Sequence, residues 1–107
     1  MSLIVEDCEF DGPFTSAQNV QARSGVFVVY DYHKSEGYCR LDVGEADNVH
    51  EQLLDHDRIF CWEQHSRGTL AYAVYYTDES ARKRIAAKIR EVSSLPCGPR
   101  ASGSGPK

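Results

Sequence analysis

The sequence predicts an α+β fold: a three-stranded antiparallel β-sheet flanked by helices. Three observations carry that expectation. A run rich in β-branched and aromatic residues, 26–32, and an alternating run, 38–43, are separated by the five residues His33-Lys34-Ser35-Glu36-Gly37, a length and a glycine that suit a hairpin. A third run, 69–76, opens after Gly68. Beyond it Ala81, Ile85, Ile89 and Val92 recur at spacings of 4, 4 and 3, the apolar stripe of a helix.

Taken in order, a short strand is expected at the start, followed by a turn over residues 10–14 on the Asp11-Gly12-Pro13 signal. Thr15 has Gln18 three residues on, the spacing of a capping box, which predicts a short helix over residues 15–23 ended by Gly25. Residues 26–32 have few polar positions on either face and read as a central strand covered on both sides. Residues 38–43 alternate, with Cys39, Leu41 and Val43 on one face and Tyr38, Arg40 and Asp42 on the other, until Gly44 breaks the strand. Behind Asp47, Val49, Leu53 and His56 recur at helical spacing, so a helix is expected over residues 47–56, with a helical turn near Phe60-Cys61-Trp62. Thr77 or Asp78 can cap the last helix and Pro96 stops it; the Pro, Gly and Ser that follow read as a tail.

The 107 residues give room for one domain, and 41% apolar residues with four prolines fit a globular chain. Such a domain buries roughly two thirds of its unfolded surface, enough for a core without staples. No apolar run approaches the ~20 residues of a membrane span, and the amino terminus turns acidic at Glu6 and Asp7, which does not read as an export signal. Cys8, Cys39, Cys61 and Cys97 are widely separated and read as reduced thiols of a cytoplasmic protein. The formal charge of -4 is uneven: residues 1–78 hold 5 basic and 14 acidic groups, residues 79–107 hold 7 basic and 2 acidic. A basic end on an acidic body is expected to be a solvated helix face that pairs with that body.

Gly25-Val26-Phe27, followed after the hairpin loop by Asp42-Val43-Gly44-Glu45-Ala46-Asp47-Asn48-Val49, resembles the paired signature of the GIY-YIG nuclease superfamily. Cys61-Trp62, the strand over 69–77 and Pro96-Cys97-Gly98 resemble the rest of that domain, so the likeness spans residues 25–98, with 1–24 as an extension and 99–107 as a tail. The resemblance implies a metal-dependent endonuclease frame, in which two tyrosines position the attacking water, an arginine stabilises the phosphate and a glutamate holds the metal. On those positions this chain carries Phe27, Asp42, Gln52 and, for the glutamate, Ala86 or Ala87. The ring of Phe27 lacks the hydroxyl, Asp42 repels phosphate unless a metal lies between them, Gln52 has no charge and alanine ligates nothing. His56, one helical turn beyond Gln52, survives.

The expectation is therefore a GIY-YIG-like domain without nuclease activity, binding nucleic acid or a protein partner through a vestigial cleft of Phe27, Asp42, Gln52 and His56. No cofactor is expected. Two alternatives stand beside it. One is a divergent nuclease using Asp42, Glu45 and His56 with Mg2+ or Mn2+, residues that together with Asp47 form a candidate divalent-cation cluster; the other is a purely structural interaction module. Acidic groups at a strand end and helix start are more simply solvated, and favourable to the helix dipole. Cys61-x-x-x-His65 with Cys97 and His56 matches no closed zinc pattern, and Cys61 has no third residue to make it a nucleophile. Arg82, Lys83, Lys88 and Arg90 on the last helix are the candidate phosphate contacts, with Arg84 among them. Tyr30, Tyr32, Tyr72, Tyr75 and Tyr76 offer base stacking, against the simpler role of cross-strand packing.

Overall fold

The computed structural model describes residues 2–54, 59–93 and 95–97. Strands β1 (Ser2–Val5), β2 (Cys8–Phe14), β3 (Gly25–His33), β4 (Gly37–Ala46) and β5 (Thr69–Tyr76) form one antiparallel sheet in the order β1-β2-β5-β3-β4. With α1 (Val49–Leu54), α2 (Ile59–His65) and α3 (Glu79–Val92) the fold is α+β as expected, but the sheet has five strands, not three. The expected tail over 99–107 and His56 lie outside the described residues.

The two additional strands come from residues 2–24. Glu6 (φ 48) and Asp7 (φ 66) form a two-residue turn with both residues in the left-handed region, which lets Val5 pair with Cys8. The expected turn at Asp11-Gly12-Pro13 is instead an irregularity inside β2. Its pairing with β5 shifts register between Asp11 and Phe14, and Gly12 (φ 121) sits so close to the neighbouring strand that a Cβ would stand 2.7 Å from the Tyr72 carbonyl oxygen. The chain kinks there without reversing. The helix expected over 15–23 is only a 3-10 turn, Ala17–Asn19, capped by Ser16 rather than Thr15 and ended by the extended, buried Val20. The segment has no apolar stripe to bury, so nothing propagates the turn.

The β3–β4 hairpin closes with Gly37 (φ 78) after a loop of Lys34, Ser35 and Glu36, two residues shorter than the sequence suggested because His33 and Gly37 pair. Gly44 does not break β4. It stands opposite Phe27, and a Cβ there would run into the Phe27 ring, so glycine is what lets the aromatic ring lie across the strand. α1 is capped by Asn48, whose Oδ1 accepts from Glu51 N at 3.1 Å, and α3 by Asp78, whose Oδ1 accepts from Ala81 N at 2.9 Å.

β3 lies between β5 and β4 and feeds a core on each face. On one face Val26, Val28 and Tyr30 pack with Val5, Phe10 and Val43 under Ile85, Ala86 and Ile89 of α3. On the other, Phe27 and Val29 pack with Leu41 and Val74 under Val49 and Leu53 of α1 and Trp62 of α2. No helix among the described residues is long and apolar enough to cross a membrane.

Candidate functional site

The residues of the expected cleft belong to the face covered by α1 and α2. Phe27 is the third residue of β3 and Asp42 lies in β4, opposite Val29; both are 0% exposed. Strand alternation placed Asp42 on a polar face, but a register shift between Val29 and Tyr30 and cover on both sides leave Leu41, Asp42, Val43 and Gly44 buried in succession. The Asp42 carboxylate accepts from Trp62 Nε1 at 2.8 Å through Oδ2 and from Val43 N at 2.8 Å through Oδ1. Trp62 meets Phe27 edge to face, centroids 6.5 Å apart, and tilts over Tyr72 at 6.3 Å. Packed side chains thus occupy the space where a cleft was expected. Gln52 is half-buried on α1, and Ala86 is buried under α3 on the opposite face of the sheet, away from Phe27 and Asp42, while Ala87 is exposed.

The acidic cluster of the divergent-nuclease alternative does not assemble among the described residues. Asp42 faces α2, whereas Glu45 turns to α3 and takes Arg82 Nε at 2.6 Å. Arg82 also donates from Nη1 to Ser24 Oγ at 2.9 Å, so this largely buried cation ties α3 to β4 and to the start of β3. Lys83 stands 3.5 Å from Glu79 and Lys88 4.0 Å from Glu91, each in an exposed pair of its own helix. Arg90 is half-buried, with its Nε enclosed and unbonded.

The tyrosines divide between the two faces. Tyr30 and Tyr75 join the α3 core, Tyr75 against Phe10 at 5.5 Å; Tyr72 and Tyr76 join the other, Tyr76 beneath the Arg23 guanidinium and bonded through its hydroxyl to Gln21 N at 2.9 Å. Burial pushes the Tyr30 phenol up, against the lowering charge and hydrogen bond of Arg40, and burial with the charge of Glu63 pushes up Tyr72. Tyr32 leans on Tyr38 at 4.8 Å at the hairpin end. They pack across strands and form no single stacking platform.

Three contacts go beyond the sequence expectation, which grouped Cys61, His65 and Cys97 only as an incomplete zinc pattern. Cys61 and Cys97, expected as free thiols, are joined by a disulfide with Cα atoms 5.8 Å apart; Cys8 and Cys39 are free. A separation of 36 residues hides that proximity, which tertiary packing alone creates. His65 stands beside the bridge, its Nδ1 3.5 Å from each sulfur. Trp62 bonds Asp42 across 20 residues. Asp31, near the far end of β3, accepts from Ser66 Oγ at 2.9 Å, Arg67 N at 3.1 Å and Gly68 N at 3.1 Å, fastening the α2–β5 loop. Burial works to raise the Asp31 carboxyl, but those three donors and the Arg67 charge outweigh it and hold the group below the ordinary carboxylate value.

No protein-family profile, curated protein or solved structure matches the chain.

Proposed function

We propose that the chain is a GIY-YIG-like domain that does not cleave nucleic acid and serves as a binding module for a protein partner. The burial of Phe27 and Asp42 carries this reading. At the two positions where the resembled family places catalytic phenols, a phenyl ring and a carboxylate lie at 0% exposure beneath Trp62, out of reach of a phosphate ester or an attacking water. The frame supports the resemblance: β4, β3 and β5 run antiparallel in that spatial order, with Gly44 against Phe27 and a helix directly after β4. The machinery does not. Loss of one transition-state donor costs on the order of 3–4 kcal/mol, or ~100–1000-fold in rate, and here the arginine position is Gln52 and the metal position an alanine.

Arg82 is committed to Glu45 and Ser24, which takes one cation of the basic helix away from phosphate, while Lys83, Arg84 and Lys88 stay exposed. The surface of α1 and α2 is what favours a protein partner. Leu54 of α1 and Phe60 of α2 are 53% and 70% exposed, with Glu51 and Glu63 exposed on the same helices. Apolar side chains among carboxylates suit a partner surface that is apolar and basic.

Plasmid nicking with Mg2+ or Mn2+ tests the first half: no cleavage is expected, and cleavage abolished by Asp42→Asn or His56→Ala would overturn it. An oligonucleotide titration at low salt tests the second. Binding that weakens steeply with salt and falls on joint replacement of Lys83, Lys88 and Arg90 by alanine would establish a nucleic-acid ligand instead.

A further inference from the structure

Among the described residues one group of metal-ligating side chains is brought together, Cys61, His65 and Cys97, whose donor atoms all lie within 4.8 Å of one another. Packing does not demand a histidine there. His65 is exposed, yet its ring turns inward and holds Nδ1 3.5 Å from both sulfurs.

We propose that reduced Cys61 and Cys97 with His65 form a thiolate–imidazole site for Zn2+, and that the Cys61–Cys97 disulfide is its oxidised, metal-free state. Zinc bonds of ~2.3 Å to sulfur and ~2.0–2.1 Å to nitrogen, at tetrahedral angles, put the nitrogen about 3.5 Å from each sulfur and the sulfurs about 3.7 Å apart. The nitrogen-to-sulfur spacing therefore already stands. Only the sulfurs must part, which reduction requires in any case. Cys61 and His65 are four apart on α2 and share one face. Cys97 is held independently of its sulfur, by its backbone N donating to Leu41 O at 2.9 Å. Two thiolates and an imidazole select zinc over the hard, oxygen-seeking Mg2+ and Ca2+. Three protein ligands leave a fourth position for water on the side that His65 opens to solvent.

The exchange balances with a monothiol, RSH, as reductant. The disulfide and two RSH give two cysteine thiols and RSSR; Zn2+ then displaces the two thiol protons. His65 binds neutral, its proton on Nε2, and gives up the 3.0 Å contact of Nδ1 with the Cys61 carbonyl. In reverse, RSSR takes two electrons from the thiolates, the S–S bond re-forms and Zn2+ leaves. The inference is independent of the binding role proposed above.

The test uses the full chain with Cys8→Ser and Cys39→Ser, leaving only Cys61 and Cys97, titrated with Co2+ as a spectroscopic stand-in. The reduced protein is expected to take up a single equivalent, with thiolate-to-cobalt charge-transfer absorption and the visible bands of a tetrahedral site, both bleached by Zn2+ and both lacking in the oxidised protein. His65→Ala, whose fold can be checked in the oxidised form, is expected to bind at least about tenfold more weakly, since losing a ligand costs no less than losing an outer-shell partner. Reduced protein without the charge-transfer absorption would overturn the proposal, as would an absorption that His65→Ala leaves unchanged. A reduced chain that unfolds and is not restored by Zn2+ would overturn it equally.

Discussion

Trp62 and Asp42 meet where a charged group has been taken fully out of water, so each donor to the carboxylate matters more than its neutral counterpart would. Trp62→Phe keeps an aromatic ring and removes the Nε1–H. The variant is expected to lose about 1.5–3 kcal/mol of stability in urea unfolding, the range for hydrogen bonds to charged groups. Equal stability of the two proteins would remove Asp42 from the account of this core. Asp31 makes a prediction in pH. Because its folded pKa lies below the unfolded one, its contribution is complete above the ordinary carboxylate range and is lost as pH falls through the folded value. Asp31→Asn is therefore expected to be less stable than the parent near about pH 7, and the gap to close toward about pH 3. A gap that stays constant with pH would assign its effect to shape and not to charge.

Helix α3 shows what local sequence specifies well. Of its expected stripe Ile85 and Ile89 enter the core and Ala81 packs against it, joined there by Ala86, and Asp78 caps the helix, so Asp78→Ala is expected to cost about 1 kcal/mol in thermal unfolding. Only Val92 of the expected stripe misses, 51% exposed in the last turn. The central strand and the hairpin were legible from local pattern too: a run dense in Val and aromatic residues, then an alternating run after a short loop with glycine, admit few other structures. β2 was not legible, because Asp-Gly-Pro carries the same local signal whether the chain turns or merely kinks, and only the proximity of the Tyr72 carbonyl decides. Gly44 misled similarly, since the ring that requires it belongs to Phe27, on another strand. What covers the candidate residues was hidden at the same level. Phe27 and Asp42 were correctly assigned to neighbouring strands, while the side chain that covers them, Trp62, comes from a seven-residue helix that no periodicity orients.

At the scale of the molecule, α3 and α2 lie on opposite faces of the sheet, and contacts on β4 connect the chain from one to the other. Ser93 accepts from Arg40 Nη1 at 2.8 Å just past α3, and Cys97 reaches Leu41 and the disulfide in the opposite core. Closing a span of 36 residues restricts the unfolded chain by about 4 kcal/mol in the chain-entropy description. Reduction without metal is expected to lower unfolding stability by up to about that amount, and no change in the denaturant midpoint would show that the bridge joins segments already fixed by other contacts. The same bridge has a topological consequence. It makes residues 61–97 a covalent ring that contains β5 and α3 whole. Arg67, exposed between α2 and β5, lies inside that ring, so a protease cutting there opens a circle without releasing a fragment. Both products stay joined until the sulfurs are parted, and the sheet keeps its fifth strand attached through a broken backbone.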